Sequence, residues 1–169
     1  MKSDGIWVYR QPDKLWLKII GRGNFQNAHF LKEILADLIE HQDRITEVDV
    51  DITECSGIDS TFLGGLANFA LQLKKQGTTT TISGATGRYR ELLENTGLSL
   101  LTTIKSEKQK PPSAEMTKLE FEIADKETAA STMLEAHETL AKLSEQNQVR
   151  FQNVIDYLRR RALSKSAAR

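Results

Sequence analysis

Apolar residues along the chain follow two rhythms, and the changes between them mark out the elements. Ile6-Trp7-Val8-Tyr9 and Leu15-Trp16-Leu17-Lys18-Ile19-Ile20 are short β-rich runs on either side of the turn Gln11-Pro12-Asp13, which predicts a hairpin. From Phe25 to His41 the spacing becomes helical: Phe30, Leu31, Ile34, Leu35, Leu38 and Ile39 form one broad face, with Asn24 or Asn27 to cap its start. Val48, Val50 and Ile52 then read as a buried strand that runs into a polar loop, Thr53 to Gly57. A helix is expected from about Ser60 to Gln76, with Leu63, Leu66, Ala67, Ala70, Leu71 and Leu73 facing the core and Gly77 as its stop. Thr78 to Ile82 is a β-branched strand, and Ser83 to Gly87 turns the chain into a helix carrying Tyr89, Leu92 and Leu93. Asn95-Thr96-Gly97 ends that helix, and Leu98 to Ile104 is expected as the last strand. This alternation predicts an α/β domain, 1–105, with a small mixed and largely parallel sheet flanked by helices.

Beyond it the pattern changes. Lys105 to Ser113 is charged and contains Pro111-Pro112, so 106–115 reads as an exposed linker. Residues 116–169 read as a helical extension. Between Glu127 and Ala162 there is neither Pro nor Gly; Met133, His137, Leu140, Ser144, Asn147, Phe151, Val154 and Leu158 alternate spacings of four and three. That is the heptad stripe of one long helix, possible coiled coil, with a polar middle at His137, Ser144 and Asn147. Acids (Glu115, Glu120, Glu122, Asp125, Glu127, Glu135, Glu138, Glu145) precede bases (Arg150, Arg159, Arg160, Arg161, Lys165, Arg169), an order that complements a helix dipole and favours antiparallel pairing. The stripe must bury on a second copy, on the sheet or on another protein; a homodimer through 127–160 is the expectation, with a folded-back helix as the alternative.

Composition narrows the class. Lys plus Arg and Asp plus Glu both total 23 in 169 residues, so no net charge points to nucleic acid or a membrane. No run approaches the roughly 18 apolar residues that span a bilayer. Cys55 is the only cysteine, which excludes an internal disulfide and fits a reducing, cytoplasmic setting.

The search for catalytic chemistry returns little. His29, His41 and His137 stand in no acid/base or metal spacing, and Cys55 has no partner motif. Gly84-Ala85-Thr86-Gly87-Arg88 lacks the Gly-Lys-Ser/Thr ending of a nucleotide loop. Arg159-Arg160-Arg161 lacks interleaved aromatics and sits where a helix C-terminus favours bases. No enzyme activity, cofactor or metal is expected. What stands out is Asp59-Ser60-Thr61, an acid and two hydroxyls at a helix start, where unpaired N–H groups suit capping oxygens and anions.

The run Val48-Asp49-Val50-Asp51-Ile52, then Gly57-Ile58-Asp59-Ser60-Thr61, then Leu63-Gly64-Gly65-Leu66, resembles the signature of STAS domains, the domains of bacterial anti-sigma factor antagonists. Leu73-Lys74-Lys75-Gln76-Gly77, Ser83-Gly84 and Arg90-Glu91-Leu92-Leu93-Glu94-Asn95-Thr96-Gly97-Leu98 continue the resemblance in order, so that it covers Ile6 to Ile104. It implies a phosphoacceptor at Thr61, with Ser60 as second choice, and a partner-binding corner of Asp59, Ser60, Thr61, Phe62 and Gly64. The partners it implies are an anti-sigma factor that is also the serine/threonine kinase, bound by the unphosphorylated form, and a PP2C-type phosphatase that resets the switch. Phe62 departs from the pattern, since many members have Gly after the acceptor. The extension also departs from it, since the simple antagonists lack one. The alternative is a STAS scaffold or interaction module of a signalling or transport assembly, not phosphorylated, that oligomerises through the C-terminal helix.

Overall fold

The computed structural model describes residues 2–42 and 44–168; Arg169, counted above among the terminal bases, lies outside them. Six strands form one mixed sheet: β1 (Gly5–Arg10), β2 (Lys14–Gly23), β3 (Glu47–Ile58), β4 (Thr79–Ser83), β5 (Thr103–Ile104) and β6 (Thr117–Lys118), in the order β5-β4-β3-β2-β1-β6. β1 pairs antiparallel with β2 and with β6; the β2–β3, β3–β4 and β4–β5 pairs are parallel. Five helices flank the sheet: α1 (Phe25–Glu40), α2 (Ser60–Lys75), α3 (Gly87–Asn95), α4 (Lys126–Ala141) and α5 (Glu145–Ala167).

The helix boundaries follow from local chemistry. Asn24 accepts from the N–H groups of Gln26 and Asn27, and the Asn27 side chain accepts from the Asn24 N–H, a reciprocal cap. Gly77 (φ +80°) ends α2: its N–H reaches Lys74 O, and the next N–H, of Thr78, reaches Leu73 O. That paired closure needs the left-handed residue glycine supplies. One sheet face carries Leu15, Leu17, Val48, Val50 and Ile82, all buried with Leu31, Leu35, Leu63 and Leu66 of α1 and α2. Phe62 and Phe69, not counted on the expected core face of α2, are 0% and 1% exposed, whereas Ile39 of α1 is half exposed.

Several expectations are corrected. The polar stretch Thr53 to Gly57 is no loop: β3 continues through it, with Glu54, Cys55 and Gly57 paired to Ile20, Gly21 and Arg22 across two register irregularities. Such bulges let a strand carry alternation-breaking residues without losing its neighbour. Leu98 to Ile104 is mostly not strand. Gly97 (φ +84°) starts a 3₁₀ turn, Leu98–Leu100, that buries Leu98, and only Thr103–Ile104 pairs. The stretch after Lys105 ends by adding β6 to the sheet beside β1.

The expected long C-terminal helix is present as α5, 23 residues from Glu145 to Ala167, but the run 127–162 is not continuous: α4 precedes it, and the chain breaks at Lys142–Ser144. Ser144 is extended (φ −160°, ψ 158°), and its hydroxyl caps α5 by accepting from Asn147 N at 3.1 Å. The heptad rhythm therefore spans a helical hairpin, and its stripe (His137, Leu140, Asn147, Phe151) is buried within the same chain. Met133, Ser144, Val154 and Leu158 of the same stripe are half-buried.

Candidate functional site

The corner at the start of α2 is assembled from three directions. Asp59 caps the helix: its backbone is extended, and Oδ1 accepts from Phe62 N at 2.8 Å. Its own N–H donates to Gly23 O at 3.0 Å, tying the cap to the end of β2. Phe62 then turns inward rather than out. It lies on Gly23 so closely that a Cβ there would sit 2.4 Å from the ring. Phe62 is therefore a core wedge that fixes the angle of α2, and it leaves the set of surface contact residues. The need for glycine at position 23 has the same cause.

The two glycines of α2 serve two different neighbours. A Cβ on Gly65 would meet Ala28 of α1 at 2.8 Å, and a Cβ on Gly64 would lie 2.2 Å from the Ala136 carbonyl oxygen of α4. Helices approach this closely only where no side chain stands between their backbones. Ser60 Oγ lies 2.8 Å from His137 Nε2, and His137 Nδ1 lies 2.6 Å from Met133 O. A neutral ring that donates from Nδ1 to that carbonyl leaves Nε2 to accept the Ser60 hydroxyl. Around this contact Lys32 pairs with Glu135 at 2.6 Å, and Asn68 reaches the same carboxylate at 3.5 Å. Thr61 is 7% exposed, Ser60 is half-buried and Asp59 is exposed.

So of the residues expected at the corner, the structure groups Asp59, Ser60, Thr61 and Gly64, and sends Phe62 to the core. The sequence reading missed Lys32, Glu135, Ala136 and His137. Their only signal was the polar interruption of the stripe at His137, which marked a docking contact and not a coiled-coil register.

The other candidates fall away. Cys55 is buried, and burial first, then the nearby Asp51 charge, pushes its thiol up to about 12, so it is not a nucleophile near neutrality. His29 stands within an ion-pair distance of Glu33 and His41 beside Asp37, at separate points on α1. Arg159 is paired with Glu138 at 2.8 Å, and Arg161 donates to Tyr157 OH. Among the described residues no group of three or more His, Cys, Asp or Glu is placed to hold a metal, and no helix is long and apolar enough to cross a membrane.

A second polar cluster lies on the opposite sheet face. Asp49 pairs in register with Trp16, and Asp51 with Lys18 and Ser83. Ser83 Oγ donates to Asp49 Oδ1 at 2.7 Å, while Asp49 Oδ2 is buried with no partner among the described residues. Desolvation raises this carboxyl to about 6, against the opposing Ser83 hydrogen bond. Asp51 Oδ1 accepts from Thr53 N at 2.8 Å, and Lys18 pairs with Glu54.

Comparison with known proteins gives a consistent picture. The STAS domain family model matches residues 6–110. TM1081 of Thermotoga maritima, described as a putative anti-sigma factor antagonist, is 19% identical with a TM-score of 0.51, over 58% of this chain and 83% of that one. The anti-sigma factor antagonist SpoIIAA in its unphosphorylated form is 11% identical with a TM-score of 0.50, over 59% of this chain and 86% of that one. The phosphorylated form, described as a Bacillus cell fate determinant, gives 12% and 0.50, over 59% and 90%. At these identities the likeness is one of fold. No curated protein matches the chain.

Proposed function

The chain belongs to the STAS domain family, and from that premise we propose that it is a protein-interaction switch of the anti-sigma factor antagonist type, worked by a phosphoryl group at the start of α2. Unphosphorylated, it binds an anti-sigma factor that is also its serine/threonine kinase; phosphorylated, it releases that partner, and a PP2C-type phosphatase restores it. Thr61 is the acceptor, with Ser60 as second choice, and Asp59, Ser60, Thr61 and Gly64 border the surface the partner meets.

The observation that carries this reading is the placement of two adjacent hydroxyls in the first turn of a capped 16-residue helix, next to an exposed acid. A phosphoryl group there adds about −1.5 to −2 charge while facing helix N–H groups that tolerate an anion. With Asp59 already negative, the corner becomes strongly acidic and the fold need not change. An interface that buries neutral hydroxyls then loses by desolvation and like-charge repulsion. SpoIIAA keeps the shared fold in both of its forms, which agrees with a switch of surface and not of structure.

A second reading, an interaction module that is not phosphorylated, is favoured by one observation: Thr61 is only 7% exposed. Phosphotransfer separates the two. The chain is incubated with ATP and a candidate serine/threonine kinase, and modified residues are mapped by mass spectrometry. Label at Thr61 or Ser60, removed by alanine at that position, is the expected result. No transfer, with equal kinase binding by Thr61→Ala and Thr61→Glu, overturns the phosphorylation reading in favour of the second.

A further inference from the structure

α4 lies across the very residues assigned to the partner. Gly64 is in backbone contact with Ala136, the Ser60 hydroxyl is engaged by His137, and Thr61 is buried. Lys32 of α1 and Asn68 of α2 both reach Glu135. We propose that α4 is a resident competitor for the partner face of α2, and that an outside protein reaches Ser60–Gly64 only when the α4–α5 hairpin lifts. This rests on the reading of that corner as the partner face and adds its regulation. The partner it fits is a helix of α4's own chemistry, with a small residue over Gly64 and an acid one position before it for Lys32 and Asn68.

Where α4 crosses α2 most closely the contact is glycine on alanine, with little apolar area, and the apolar anchorage of the hairpin lies elsewhere, at Leu140, Phe151 and Ile155. Its specific contacts are polar: a hydroxyl–imidazole bond and a shared carboxylate. Within the hairpin, Thr132 Oγ1 and Asn147 Oδ1 are buried with no partner among the described residues. Unpaired buried groups lower the stability of the state that buries them. The connection between β6 and α4, 119–125, has no regular structure and Ile123 within it is 82% exposed, while Phe121 packs on Phe30 (ring centroids 5.2 Å apart) and Ala124 N donates to Gln26 Oε1 at 3.4 Å, contacts that hold it to α1. At the far end Asn147 Nδ2 donates to Leu140 O at 2.9 Å, which joins α5 to α4, and to Thr96 O at 2.9 Å, a bond to the body of the domain that breaks when the hairpin lifts. A phosphoryl group on Ser60 needs the room that His137 of α4 fills. Kinase access and α4 docking therefore exclude each other.

Native-state hydrogen exchange of the full chain reads the opening directly. The amides of α4 are expected to exchange at least about tenfold faster than the slowest amides of β2 and β3, as a separate opening unit. Gly64→Ala, whose Cβ meets the Ala136 backbone first, should raise α4 exchange a further tenfold or so and leave β2 and β3 unchanged. A second arm uses a fluorescein-labelled peptide of residues 125–143 as the probe. It is expected to bind the full-chain variant Ala136→Arg, where α4 is lifted, and not the unsubstituted chain; Gly64→Leu added to that variant should abolish binding. Exchange of α4 at the rate of the sheet, or peptide binding that is absent from Ala136→Arg or equal in the unsubstituted chain, overturns the proposal. Neither arm involves phosphotransfer, so such a result leaves the phosphorylation reading standing.

Discussion

Asp49 gives the sharpest stability prediction, because burial outweighs the Ser83 hydrogen bond and the Lys14 and Lys105 charges that favour its ionised form. It is 2% exposed, lies next to Asp51 on the same sheet face, and receives a single hydrogen bond, from Ser83. Burial holds its carboxyl at about 6, above the ordinary 3.8. The folded chain thus keeps a proton that the unfolded chain has already released. Stability from this group is complete below pH ~3.8 and is lost as the pH rises through about 6. At about 1.4 kcal/mol per pH unit, the interval between the two values corresponds to about 3 kcal/mol of destabilisation at pH 7.5. Asp49→Asn removes the titration while keeping an oxygen for Ser83. Urea unfolding of both proteins from pH 4 to pH 7.5 is the assay. The variant is expected to gain on the native chain by about 2–3 kcal/mol over that range, with most of the change complete by pH 7. A stability difference that does not move between pH 4 and 7.5, or one that moves the other way, refutes the placement of a buried, desolvated acid on this face.

Two further outcomes follow from the packing around the corner. Phe62→Ala removes a fully buried ring from its seat on Gly23 and should destabilise the domain by about 3–5 kcal/mol in denaturant unfolding; a loss below about 1 kcal/mol contradicts a core role for Phe62. Cys55, its thiol pushed up to about 12, should resist iodoacetamide at pH 8 in the native protein and react in urea. Comparable labelling in both conditions contradicts its burial.

Much of this fold was legible because it is written locally. The hairpin, the Val48–Ile52 strand and the stop at Gly77 each come from a short run whose pattern and punctuation agree. The Asp59 cap is legible for the same reason, since side chain and orphan N–H stand three residues apart. What was not legible depends on distant neighbours. Thr53 to Gly57 reads as loop until Ile20, Gly21 and Arg22 are known to run beside it. Phe62 reads as surface or core with equal ease until Gly23 is placed under its ring. His137, Ser144 and Asn147 fit a heptad stripe, but they act separately. His137 binds Ser60, Ser144 caps α5, and Asn147 ties α5 to Thr96. A period of three and four cannot tell two helices folded back from one helix paired with a copy, because both bury the same positions. The corner itself was located from the sequence; that the chain covers it with its own helix was not.

The central claim, that charge at the start of α2 controls partner binding, is tested most directly by calorimetric titration of a kinase partner into the chain before and after phosphorylation at Ser60 or Thr61. Binding to the unmodified chain is expected, with at least a tenfold loss after modification, about 1.4 kcal/mol or more. Equal affinity for the two forms would contradict it.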